Sequence, residues 1–150
     1  GEHGIDQIRF LFTANKKSEL QEISKIASGG EISRLMLSVK SIISDSLGLP
    51  TIIFDEIDAG VSGEIAHKVA IIMKQMSRDR QVITITHLPQ VASRGDSHYL
   101  VYKNDTDERS VTGIRNLDQD ERLVEIAKML SGEQTTEAAL ANARELMGGR

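Results

Sequence analysis

Three short stretches of this sequence combine residue types that handle phosphates and water. Ser28-Gly29-Gly30-Glu31 opens the most strongly periodic helix of the chain. Serine followed three residues later by glutamate makes a capping box, and the paired glycines let another molecule approach the backbone. A helix N-terminus attracts anions, so this stretch suits phosphate. Thr51-Ile52-Ile53-Phe54-Asp55-Glu56 is an apolar run ending in adjacent acids. At the C-terminal edge of a parallel sheet, where α/β proteins bind ligands, such a pair serves Mg²⁺ and a water. The first acid holds the metal, directly or through water, and the second polarises the attacking water. His87 follows the run Gln81 to Thr86. If the two runs are neighbouring strands, His87 lands beside Asp55 and Glu56, placed to contact a terminal phosphate or hold a water. Taken singly, each stretch also has a plain structural reading as a helix cap, an acid capping the next helix, or a solvated histidine. His3, His67 and His98 have no comparable setting and read as structural or exposed.

The elements that must position these residues follow from periodicity. Gln7 to Thr13 alternates, with Ile8, Phe10 and Phe12 on one face and Arg9 on the other, which predicts a half-buried strand. Lys16 to Ile26 is mixed and polar and reads as a connection. From Glu31, the residues Ile32, Leu35, Met36, Val39, Ile42, Ile43 and Leu47 keep helical spacing until Gly48 and Pro50 stop it. Thr51 to Phe54 predicts a strand buried on both faces, and Gln81 to Thr86 another buried strand. Between them a helix over Ser62 to Met76 turns Ile65, Val69, Ile72, Met73 and Met76 inward. Tyr99 to Tyr102 and Ser110 to Ile114 pair as a hairpin, and helices follow over Glu121 to Leu130 and Thr136 to Met147, divided near Gly132. Strands separated by helices predict an α/β fold with a largely parallel sheet flanked by helices, then a C-terminal hairpin and helices.

Composition sets bounds on the chemistry. The 150 residues are 39% hydrophobic and 27% charged, the balance of an ordinary globular domain with a real core. A net charge of -4 provides no global field for nucleic acid, so any DNA contact needs a local patch or another part of a longer protein. Lys16 with Lys17, and Arg78 with Arg80 around Asp79, are the local basic pairs. The absence of cysteine excludes a disulfide scaffold and thiolate-held metals. No apolar run approaches the roughly 20 residues of a spanning helix, and a cytoplasmic setting is expected.

The order of the three stretches carries more than any one of them. Ser-Gly-Gly-Glu opening a helix, a strand ending Asp-Glu, and a strand ending Thr-His resemble the signature motif, Walker B and H-loop of ABC ATPases. Asp55-Glu56-Ile57-Asp58, rather than Asp-Glu-Pro, is similar to the SMC-like branch and unlike transporter subunits. Lys25 to Arg34, Gly60-Val61-Ser62-Gly63, His87 to Ala92 and the tail from Glu125 to Met147 resemble the RecN family of DNA-repair ATPases, and the likeness runs from about Gly4 onward. It implies the C-terminal half of a P-loop NTPase head of the ABC type, binding ATP and Mg²⁺ and acting in double-strand-break repair and recombination. It implies that Asp55 holds the Mg²⁺ shell, that Glu56 is the general base and that His87 senses the γ-phosphate. Ser28, Gly29, Gly30 and Glu31 would meet ATP held by a second head, while Asp58, Gly60 and Ser62 belong to a loop crossing the dimer interface. Two departures stand out: Ala27 replaces the leucine that often begins the signature, and Ser62 stands where most ABC proteins carry aspartate.

The sequence contains no Gly-Lys pair, and so no P-loop. Residues 1–150 are therefore expected to be the C-terminal lobe of a head whose P-loop half and coiled-coil arms belong to a longer protein. Exposed apolar surface or self-association is expected where that half belongs. The implied partners are the N-terminal half, a second head, and DNA through the full-length protein, with no membrane. Two alternatives remain: an ABC transporter nucleotide-binding subunit, and a non-catalytic interaction module with an ABC-like fold.

Overall fold

The computed structural model describes residues 4, 8–13, 19–23, 29–55, 57–58, 60–105 and 110–148. Its centre is a βαβ unit. Helix α1 (Gly29–Leu47) leads into strand β3 (Thr51–Asp55), helix α2 (Gly63–Met76) and strand β4 (Gln81–Ile85), after strands β1 (Leu11–Phe12) and β2 (Gln21–Glu22). Strands β3 and β4 pair in parallel with Thr51 opposite Gln81 and Asp55 opposite Ile85. Gly48, at φ +60°, ends α1 in a conformation that suits glycine, just before Pro50. Ile52 and Phe54 point from one face of β3 into a core shared with Leu37 of α1, Val69, Ala70 and Met73 of α2, and Val91. The ammonium of Lys40 sits 5.5 Å from the Phe54 ring centroid and tethers α1 over that core.

The parallel sheet is smaller than the pattern suggests, two strands among the described residues, and only one of its faces is covered. Ile53, Ile83 and Ile85 lie 58%, 43% and 52% exposed, so the strands expected to be buried on both faces are buried on one. The same correction applies to α1. Its periodic stripe is open at Ile32, Met36, Ile42 and Ile43, and among the described residues its buried positions are Gly30, Leu37 and Ser44, spaced seven apart. In α2 the small residues Ala66 and Ala70 take the inward positions with Val69, Met73 and Met76, while Ile65 is exposed. Near the N-terminus the expected strand shortens to β1, paired antiparallel with β2 inside the stretch read as a connection, and Ile8 and Phe10 are exposed. Periodicity finds a stripe, but it cannot say whether the layer that covers the stripe is present in these 150 residues. The expectation of exposed apolar surface is met.

The C-terminal part follows the sequence more closely. Short helix α3 (Pro89–Ala92) precedes an antiparallel hairpin of β5 (Tyr99–Asp105) and β6 (Ser110–Asn116), longer than expected. Helices α4 (Gln119–Ser131) and α5 (Glu137–Gly148) then pack through Ile126, Ala127, Ala139 and Ala143, whose alanines let the two axes approach closely. Helix α4 starts two residues earlier than expected because Asp118 and Glu121 form a capping box, Glu121 N donating to Asp118 Oδ1 at 2.8 Å and Asp118 N to Glu121 Oε2 at 3.1 Å.

Two titratable groups couple this part to pH. Burial holds the imidazole of His98 below its ordinary pKa, with the nearby Arg122 charge adding to the effect against the opposing pull of Glu125. Hydrogen bonding from Arg115 and from the Asp118 backbone holds Glu121 below the ordinary carboxylate range. Between the lowered His98 value and about 6.5, the unfolded chain binds a proton that the folded chain refuses, so stability falls as pH drops through that window. The Glu121 contribution, present above about 4.5, is lost at lower pH as the carboxylate protonates. Thermal unfolding midpoints at pH 7.5 and 5.5 are expected to differ less in His98→Leu than in the parent chain. Equal differences would remove His98 from this account.

Candidate active site

Strand β3 delivers Asp55 to its C-terminal end, and the parallel register puts Ile85 directly opposite, so Thr86 and His87 leave the sheet at the same edge. Asp55 is exposed there, and the His87 side chain is 66% exposed. Adjacent strands lie about 4.8 Å apart, which makes this edge a small site rather than two separate ones. Glu56 and Ser28 fall outside the described residues.

The segment between β3 and α2 joins the rest of the site together. Val61 N donates to Asp58 O at 3.1 Å, closing a turn in which Gly60 takes φ +72°. This turn lies against the start of α1: a Cβ placed on Gly30 would come within 3.1 Å of Gly60 O and 3.3 Å of an Arg34 terminal nitrogen. Only a residue without a side chain fits that contact without displacing its neighbours, which gives Gly30 a structural role in packing the turn on α1. On its other side the turn anchors to β4. The Thr86 hydroxyl donates to Asp58 Oδ2, and Leu88 N donates to Thr86 Oγ1 at 3.0 Å. Asp58 is completely buried, and its Oδ1 has no hydrogen-bond partner among the described residues but lies 4.0 Å from His87 Nδ1.

The structure therefore brings together the start of the Gly29–Gly30 helix, the Asp58–Ser62 loop, Asp55 and His87. Within that loop Asp58 is turned into the lobe, whereas Gly60 and Ser62 remain exposed. Ser62 is the N-cap of α2 by backbone conformation, yet its hydroxyl makes no capping bond. Sequence reasoning assigned no part to Thr86 or Arg34. Thr86 immediately precedes His87, and a hydroxyl at a strand end next to a buried acid was the available signal.

A second concave region, about 780 Å³, opens between α2, the turn after α3, and helices α4 and α5. Lys74, Arg78, Arg94, Arg122 and Arg144 line it, with Asp96. Arg122 is buried and spends its terminal nitrogens on Gly95 O at 2.6 Å and Asp96 O at 3.0 Å, while Lys74 pairs with Asp96 at 2.5 Å. These cations come from four separate segments, so no linear pattern announces them. Of the basic pairs read from sequence, Arg78 lies here, and Lys16 and Lys17 lie outside the described residues.

No family model matches the chain. Two solved structures share its fold. One, an SMC ATPase described through its ATP-driven dimerization and DNA-stimulated activation, superposes with a TM-score of 0.59 at 23% identity over 79% of this chain and 70% of that one. The other, the Smc head domain with a coiled coil and joint from Pyrococcus yayanosii, gives 0.61 at 24% identity over 75% of this chain and 21% of that one. The chain shares the fold of these SMC head structures, a mixed fold of helices and strands with a small parallel sheet.

Curated relatives narrow the class. The chain is 42% identical over 146 residues to the DNA repair protein RecN of Bacillus subtilis and 46% identical over 147 residues to that of Deinococcus radiodurans. It is 41% identical over 144 residues to that of Vibrio cholerae. These matches cover 97%, 98% and 96% of this chain. The chain spans about a quarter of the length of these relatives, 25% to 26%. Over nearly its whole length the chain is similar to a segment of these DNA repair proteins RecN. The transporter reading finds no support in these likenesses.

Proposed function

We propose that this chain supplies the signature motif, Walker B and H-loop of an ATPase head in a RecN-like protein of double-strand-break repair and recombination. The observation that supports this reading is that Gly60 packs on Gly30 and that Asp58 accepts a hydrogen bond from the Thr86 hydroxyl, beside His87. Asp55 would hold Mg²⁺ bound with the nucleotide, Glu56 would take the proton of the attacking water, and His87 would meet the γ-phosphate. Ser28, Gly29, Gly30 and Glu31 would face ATP held by a second head, with Gly60 and Ser62 at the crossing between heads.

The residues fit such a metal. Among the described residues no three His, Cys, Asp or Glu side chains converge into a protein-only cage. Mg²⁺ keeps several waters and is usually held by one or two carboxylates together with substrate phosphates, which matches one exposed aspartate at a strand end. Bound there, it would neutralise charge on the β- and γ-oxygens. The exposed face of Ile53, Ile83 and Ile85 and the open stripe of α1 suit an apolar covering layer, which we assign to the N-terminal P-loop half of the same protein.

Without the P-loop, the backbone amides and lysine that grip most of a triphosphate are missing from this segment. Calorimetry is expected to find no micromolar affinity of this chain for ATP-Mg²⁺. Micromolar binding would overturn the division of labour between the two halves.

DNA would be reached through the full-length protein, in the cytoplasm and on the nucleoid. No helix among the described residues is long and apolar enough to cross a membrane. The cationic groove offers this chain only a few phosphate contacts against a net charge of -4. Duplex DNA is therefore expected to bind it non-specifically, roughly 10⁻⁴ to 10⁻⁶ M at physiological salt. Titration of labelled duplex checks this, and sub-micromolar affinity would place a DNA site in this segment.

A further inference from the structure

We propose that Asp58 is a positioning residue that orients His87, with Thr86 holding the carboxylate in place. This rests on the reading of His87 as the contact to the terminal phosphate.

A carboxylate with no solvent exposure needs partners for its oxygens, because an unpaired buried acceptor is costly. Asp58 meets half of that demand. Leu88 N–H occupies an acceptor site on Thr86 Oγ1, so the single hydroxyl proton is directed to Asp58 Oδ2. The second oxygen, Oδ1, has no hydrogen-bond partner among the described residues, and His87 Nδ1 stands 4.0 Å away. That is about 1 Å beyond an ordinary N–H···O bond, a gap that a small rotation of an exposed ring closes.

Closure has a defined consequence for the other ring nitrogen. With Nδ1–H donating to Asp58, the ring plane is set and Nε2 is presented away from the core. When Nε2 also donates to a phosphate oxygen, both ring nitrogens carry protons, and the buried carboxylate is the counter-charge for that form. The carboxylate is anchored to β4 by Thr86 and to the 57–62 loop by its own backbone, so the orientation of His87 is tied to the loop that packs on Gly30. Partners that orient a functional histidine from behind are typically worth about 10- to 100-fold in activity or affinity.

The test is a double-mutant cycle on ATP turnover by the full-length protein. Asp58→Asn keeps the size of the side chain and an oxygen for Thr86, but it turns an amide donor towards Nδ1. It is expected to lower kcat about 10- to 100-fold while KM for ATP changes less than about 3-fold. In a His87→Ala background, Asp58→Asn should cost nothing further, because the residue it positions is gone. Thr86→Val should reproduce the loss, and Thr86→Ser should restore most of it. If Asp58→Asn does not fold, the same cycle run with Thr86→Val decides.

Independent, multiplying effects of Asp58→Asn and His87→Ala would show a merely structural role and overturn the inference. So would full turnover in Asp58→Asn while the parent protein is active, an outcome that leaves the ATPase reading intact. A parent protein with no turnover would overturn both.

Discussion

Glu56→Gln in the full-length protein is expected to bind ATP normally and to hydrolyse it at least ~100-fold more slowly, the scale of losing a general base. The substitution keeps the size of the side chain and removes only its capacity to take a proton. Asp55, one residue earlier, still ends β3 at the ligand-binding edge of the sheet, so the metal shell would be retained. If hydrolysis releases paired heads, as the proposed function requires, the variant should also accumulate as an ATP-dependent dimer. Single-turnover hydrolysis gives the rate, and size-exclusion chromatography with and without ATP gives the assembly. A rate within a few-fold of the parent would remove Glu56 from its assigned role.

Ser28→Arg is expected to abolish head engagement and, with it, turnover. Its effect should rival that of Glu56→Gln for a different reason. Residues Gly29 and Gly30 begin α1, where free amides and the helix dipole favour an anion, and Gly30 already touches Gly60 with no room for a side chain. A long cationic side chain beside that helix start would fill the position meant for the partner's phosphate. ATP binding to the P-loop half should survive, so loss of turnover with retained binding is the expected pattern. Unchanged turnover would return Ser28-Gly29-Gly30-Glu31 to the role of a helix cap.

What was legible in the sequence was local. Each run with strong periodicity became the element expected of it, and β3 and β4 pair in parallel so that Asp55 and His87 reach one edge. Direction of burial was less legible. Ile53, Ile83, Ile32 and Met36 were expected inside and lie open, because hydrophobic spacing reports that a face will be covered and not by which part of a protein. Long-range polar contacts were not legible at all. Asp58 lies in the loop expected to cross between heads, and 28 residues separate it from the Thr86 hydroxyl whose proton it accepts. The cationic groove was hidden for the same reason, since α2, α4, α5 and the turn after α3 each contribute to it. The capping box at Asp118 and Glu121 stands in the sequence as Asp-x-x-Glu, ahead of the apolar period that marks the body of the helix.

ATP turnover by this chain, by the separately produced P-loop half, and by the two together tests the central claim most directly. The account predicts Mg²⁺-dependent hydrolysis only when both are present, lost again when the added chain carries Glu56→Gln. Hydrolysis by this chain alone, or reconstituted turnover indifferent to Glu56, would contradict it.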